Sequence, residues 1–159
     1  MNKPIYSYAL GVLGFWTHIV FYTLIGTAKL CGIEPSEYLR EAITAANNTV
    51  NGAGGADRIH FGIAGSGVHT ITLGLALPTI SGVVVIDATT DTASVTANGG
   101  RPAIVINANS LNIDGLSLTS TANGSTIRGL VITNFGGAAV NIASGSDGNT
   151  IVGNYLGAI

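Results

Sequence analysis

Charge is what this chain lacks most. Only 9% of its 159 residues are Asp, Glu, Lys or Arg, against roughly a quarter in an average soluble domain. Six basic residues and a formal net charge of −2 leave no basic stripe to neutralise a run of phosphates, which excludes nucleic acid as a partner of the folded part. A single cysteine, Cys31, excludes an internal disulfide, and a lone thiol without a paired histidine motif reads as inert. Aromatic residues make up 6%, so platforms for stacking sugar rings are thin. Apolar residues are plentiful, at 47% with a mean hydropathy of +0.49, enough for one core of ordinary size. The surface must then be covered by Asn, Thr, Ser and Gly, a composition that suits stacked strands and tight turns.

Three segments follow one another, at residues 1–33, 34–57 and 58–159. Between Ala9 and Thr27 there is no charged side chain, and Lys3 and Lys29 flank the run. As a helix it spans about 29 Å, close to the thickness of a hydrocarbon core. Trp16 and His18 near its middle weigh against a membrane span. Two readings stay open: a membrane or export segment, making membrane contact through residues 9–27, and a buried apolar helix. From Glu34 to Asn47, "EPSEYLREAITAAN" predicts a short amphipathic helix with Leu39, Ala42, Ile43 and Ala46 on one face. The "GAGG" at 52–55 lacks the Lys and Ser/Thr of a phosphate-binding loop and reads as a linker.

From Arg58 onward the chain reads as short strands rich in Ile, Val, Leu and Thr, separated by Gly, Asn, Ser and Asp. "STIRGLVI" at 125–132 returns as "NTIVGNYL" at 149–156, an offset of 24 residues (149 − 125) that pairs Ile127 with Ile151 and Gly129 with Gly153. The preceding strand keeps the same offset, pairing Leu116 with Val140 and Ser117 with Asn141. A fixed two-strand period points to turns stacked in parallel, with equivalent residues about 4.8 Å apart. The expected fold is therefore all-β: a parallel β-helix, or solenoid, of about 24-residue coils, with a short N-terminal capping helix and an N-terminal apolar helix. The repeat carries no cap after "NTIVGNYLGAI" comparable to the helix before it. That reads either as a longer protein cut short or as an end that pairs with another chain, giving end-to-end self-association through the last coil.

"YLREAITAAN", "GADRIHFGIAGSGVHTITLGLALPTI", "STIRGLVITNFGG" and "GSDGNTIVGNYLG" together resemble the amino-terminal part of bacterial right-handed parallel β-helix proteins. Those open with an S-L-R-E-A-I element and carry repeats of the pectate-lyase-like or periplasmic copper-protein-associated kind. The resemblance covers about residues 37–159 and departs at Tyr38, where that family usually has Ser. It implies a right-handed coil and a large exported or cell-surface protein, and no single activity. "FYTLIGTAKLCGIEPSEYLR" is similar to the carboxy-terminal tail of transposases of bacterial insertion sequences. That match spans about residues 21–40 and holds no catalytic acidic triad, so what it implies is a chimeric reading frame.

The acidic residues of the strand region are Asp57, Asp87, Asp91, Asp114 and Asp147. Calcium-dependent lyase chemistry needs several carboxylates on one face and a base. Asp87 and Asp91 in "IDATTD" could share a weak calcium loop, but carboxylates so placed cap turns through their own backbone. Arg128 has no evident carboxylate partner in the repeat and reads as a solvated stem. His60 and His69 lack a third metal ligand. Ser117 with Asn141, and Ser125 with Asn149, suit side-chain ladders between coils, and faces of this kind can contact sugar hydroxyls, with Phe135 and Tyr155 the nearby rings. No catalytic residue, cofactor site or metal site is assigned. The expected role is a structural or adhesive module of an exported or cell-surface protein that contacts a polysaccharide or cell-surface glycan weakly; the alternatives are the amino-terminal part of a carbohydrate-active enzyme and a nonfunctional chimeric fragment.

Overall fold

A computed structural model describes the backbone of Phe21–Ile25 and all of residues 34–51 and 55–157. Cys31, the glycines at 52 and 54, and the apolar segment outside 21–25 lie outside the described residues. The described strands are short and pair in parallel throughout, in three sheets. The first holds β1 (Phe21–Ile25), β2 (Asp57–Gly62), β4 (Val84–Asp87), β7 (Thr126–Arg128) and β10 (Thr150–Val152), side by side in that order. The second runs from β3 (His69–Thr72) through β5 (Ile104–Asn107) and β8 (Leu130–Thr133) to β11 (Tyr155–Leu156). The third pairs β6 (Leu116–Leu118) with β9 (Val140–Ile142), and Ile80 adds a single parallel bridge to Leu118.

Register explains the core. Alternate strand residues point to opposite faces, so the inward rows stack aliphatic on aliphatic: Ile59, Ile86 and Ile127 in the first sheet, and Ile71, Ile106 and Ile132 in the second. All six are at most 1% exposed. Helix α1 (Pro35–Asn48) covers one end of this core. Its buried residues are Leu39, Ala42, Ile43 and Ala46, the four that the sequence pattern places on one face. Polar side chains fasten it: Arg40 donates to the Ala76 carbonyl, and Asn47 donates to the Thr79 carbonyl at 2.7 Å while accepting from the Ser81 amide at 2.8 Å.

The expected all-β solenoid of even coils needs correction. The described chain is three sheets of short parallel strands together with two helices, and its spacing is uneven. The 24-residue offset holds where the sequence repeats, from β6 to β9, β7 to β10 and β8 to β11. In the first sheet, however, Phe21 pairs with Arg58 (58 − 21 = 37), Asp57 with Val84 (84 − 57 = 27), and Val85 with Thr126 (126 − 85 = 41). The longest interval houses a 3₁₀ turn at Ala88–Thr90 and helix α2 (Thr92–Ala97). Both start on an aspartate whose carboxylate accepts a backbone amide, Asp87 from Thr89 and Asp91 from Ser94, which is the chemistry of an N-cap. The expected N-terminal apolar helix is also corrected at Phe21–Ile25. That stretch, "FYTLI", is a strand paired to Arg58–Gly62, as suits its aromatic and β-branched residues.

Where the strands turn, polar side chains of the adjacent layer take up the freed backbone amides. The Asn149 side-chain carbonyl accepts from the Ser125 amide at 2.9 Å, and Asn154 accepts from Leu130 at 2.9 Å. Asp114 accepts from Ala138 at 2.7 Å, and Asn123 from Asp147 at 2.6 Å. Earlier in the chain, Thr90 accepts from Phe61 and Asp91 from Ile63. The ladders expected between Ser117 and Asn141 and between Ser125 and Asn149 thus take another form, with Asn141 donating to Asp114 and Asn149 reaching the Ser125 backbone.

Close stacking also sets a steric limit between β6 and β9. A Cβ at Gly115 would lie 2.2 Å from the Ala139 carbonyl oxygen. Gly115→Ala is expected to destabilise the protein by about 1–3 kcal/mol in denaturant unfolding. Gly74→Ala, where nothing lies within 4 Å of the new Cβ, is expected to leave the midpoint nearly unchanged.

Candidate functional site

Three charged side chains of the strand region, Arg58, Asp87 and Arg128, and the His60 imidazole share the outer face of the first sheet. Register sets His60 beside Asp87, and Asp87 beside Arg128. Three strands therefore contribute one row, and Arg58, two residues before His60 on β2, shares its face. This placement follows from the buried row next to it: once Ile59, Ile86 and Ile127 stack inward, the residue after each must face outward.

Asp87 is the centre of the row and is only 3% exposed. Its Oδ1 accepts from the Thr89 amide at 3.0 Å and from the Thr89 hydroxyl at 2.6 Å, while its Oδ2 accepts from Arg128 Nη2. Burial alone would raise its pKa, but the hydrogen bonds from Arg128 and Thr89 outweigh it and hold the carboxyl below its ordinary value. Arg128 is held more firmly protonated by the same hydrogen bond, and its side chain remains 47% exposed. His60 titrates below the usual imidazole range. Burial is the largest cause, and Asp87 pulls upward while Arg58 and Arg128 push downward.

Geometry brings together Arg58, His60, Asp87 and Arg128, and separates the other sequence candidates. His69 lies on β3 in the second sheet, so the two histidines do not share a row. Asp91 is spent on the Ile63 and Ser94 amides, one to each oxygen, and with Asp87 also occupied the pair forms no calcium loop. Asp114 is likewise bonded through both oxygens, to Ala138 and Asn141. Asp147 is exposed at a turn, and Asp57 is buried at the start of β2. Among the described residues no group of three or more His, Cys, Asp or Glu could hold a metal ion. Of the rings near the repeat, Phe135 packs against the core and Tyr155 is 49% exposed.

Sequence reasoning missed the Asp87–Arg128 pair because it extended the 24-residue offset, which sets Arg128 opposite Val152, and the partner stands 41 residues earlier. Matching "VVID" to "TIR" on their shared isoleucine would have found it. A row of one saturated carboxylate, two arginines and a neutral histidine can donate hydrogen bonds and attract an anionic or hydroxyl-rich ligand. It offers no free carboxylate to act as a base. Comparisons with protein-family models, with curated proteins and with solved structures find no match.

The row makes stability acid-sensitive. Both folded pKa values lie below their unfolded ones, so each group's contribution is complete above the ordinary value and is lost as pH falls through the folded one. In urea unfolding, stability should decline below pH 6.5 through His60 and again below pH 3.8 through Asp87; His60→Gln should flatten the first step and Asp87→Asn the second. Arg128→Met should cost about 1–2 kcal/mol at neutral pH, discounted for its exposed stem, and little once Asp87 is protonated.

Proposed function

We propose that this chain is a non-catalytic recognition module of an exported or cell-surface bacterial protein, contacting glycans weakly through the outer face of its first sheet. The observation that carries this reading is the commitment of the carboxylates: Asp87, Asp91 and Asp114 are each bonded through both oxygens to groups that hold strands and turns in place. General acid–base chemistry on a polysaccharide pairs an acid with a base, each able to exchange a proton with the substrate, and in this row the bonding of Asp87 leaves the His60 imidazole without a free carboxyl beside it. Binding needs only exposed donors and acceptors. Arg58, Thr150 and the outer half of Arg128 supply these on one face of the sheet. Sugar affinity rises with aromatic stacking, and on β2, β4, β7 and β10 no Phe, Tyr or Trp lies on this face, so the contact is weak. Placement outside the cytoplasm rests on the resemblance of the repeats to exported proteins. No helix among the described residues is long and apolar enough to cross a membrane.

Isothermal titration of the full chain against neutral and acidic polysaccharides should give saturable binding with a dissociation constant of about 0.1–1 mM. Arg58→Ala should weaken it several-fold without changing thermal unfolding. Viscosity and reducing-end release should stay constant with and without calcium. Turnover of any of these polymers, or no binding to all of them, would overturn the proposal.

A further inference from the structure

Charge on the outer face of the first sheet is one-sided. Register lays two outward rows across β2, β4, β7 and β10: Arg58, Val85, Thr126 and Thr150 in one, and His60, Asp87, Arg128 and Val152 in the other. The one acid among them, Asp87, is buried with both oxygens bonded. Arg58 is exposed, and so is nearly half of the Arg128 side chain. A ligand approaching these strands therefore meets guanidinium groups and no open carboxylate, although the chain as a whole has a formal net charge of −2. Arg58 and Arg128 stand two strands and two residues apart, about 12 Å between Cα atoms. With Arg128 tethered to Asp87, each guanidinium meets an anionic group of its own, which a polymer charged at intervals supplies.

His60 occupies the corner between the two arginines, two residues from Arg58 along β2 and in the row of Arg128. The neighbouring elements bring no other open charge to it. In register beside it β1 has the uncharged Thr23, and Tyr22 is aligned with Ile59 instead. The 3₁₀ turn at Ala88–Thr90 holds no titratable group, and Asp91 after it is bonded through both oxygens. Helix α1, which also packs against β2, carries Glu37, Arg40 and Glu41, yet the charges that act on His60 are those of Asp87, Arg58 and Arg128. Acidification below the ordinary imidazole range thus adds a positive charge to this face, while Asp87 stays ionised and keeps its bond to Arg128.

We propose that this face selects polyanionic glycans, carboxylated or sulfated, and that protonation of His60 tightens its hold on them as pH falls. The inference rests on the glycan-binding reading above and adds the ligand's charge and a control by pH. One further charge about 7 Å from an anionic group changes affinity about threefold in a watery setting. Linkage requires the converse: a bound polyanion favours the imidazolium and draws a proton onto His60.

Short-chain dextran sulfate and dextran share a backbone, and the sulfates stay ionised in mild acid, so a pH dependence belongs to the protein. In calorimetric titration of the full chain, dextran sulfate should bind about threefold more tightly at about pH 5 than at about pH 7.5; dextran should bind more weakly and equally at both. His60→Gln should abolish the tightening. Should that variant misfold, the unaltered chain decides: the nuclear magnetic resonance titration midpoint of the His60 ring should rise by about 0.5 pH when dextran sulfate is bound, the counterpart of a threefold change. Equal affinity for the two polymers, tightening retained in folded His60→Gln, or a His60 midpoint unmoved by bound polymer refutes this inference and leaves the glycan reading standing. Binding of neither polymer at either pH removes both.

Discussion

Short parallel strands create a problem that dominates this molecule: each strand ends after two to six residues, and every buried amide beyond its end still needs an acceptor. A buried amide without a partner costs about 1–3 kcal/mol, comparable to a large share of a domain's whole stability. The solution here is side-chain substitution for backbone. Asn123, Asn149, Asn154, Thr90, Asp91 and Asp114 each offer an oxygen to an amide of a neighbouring layer where the strand ladder lapses. Bonds of this kind suit a chain rich in Asn, Thr and Ser and poor in charge.

That constraint also shapes what the protein can do. A carboxylate used to hold a turn is not available to a substrate, and three of the five aspartates in the strand region are so used. Asp87 shows how far the commitment goes. It caps the 3₁₀ turn through one oxygen and holds Arg128 through the other, so one buried carboxylate joins the layer of β4 to that of β7. Its fixed negative charge, together with burial and the two arginines, sets the protonation of His60. What the row leaves exposed is Arg58 and the outer part of Arg128, the groups on which the proposed contact with a hydroxyl-rich polymer rests.

Much of the register was legible. Equivalent residues repeat at 24 positions in the last third of the chain, and the pairs read from that repeat, among them Thr126 with Thr150 and Leu116 with Val140, are strand neighbours. The apolar face of α1 was equally plain from its periodicity. What escaped was everything tied to the uneven spacing. Helix α2 is only six residues long, too short to show a helical period, and its Asp91 cap looks in sequence like any turn aspartate. With the interval between β4 and β7 stretched to 41 residues, Arg128 lost its visible partner. Within "RPAIVINA" at 101–108, Ile104–Asn107 pairs with Leu130–Thr133 in the second sheet at an offset of 26 residues (130 − 104), which the 24-residue repeat does not give. The polar ladders were foreseen as side chain on side chain, whereas the stronger need, satisfying backbone amides, took most of those oxygens.

The central claim, that side-chain oxygens complete the strand ladders, is tested most directly by native-state hydrogen exchange. The Ser125 and Leu130 amides, bonded to Asn149 and Asn154, should exchange about as slowly as strand amides such as those of Ile106 and Ile127. Exchange of Ser125 and Leu130 at the rate of exposed loops, while Ile106 and Ile127 stay protected, would contradict it: the side chains would then be incidental neighbours, and the layers would be held by the aliphatic rows alone.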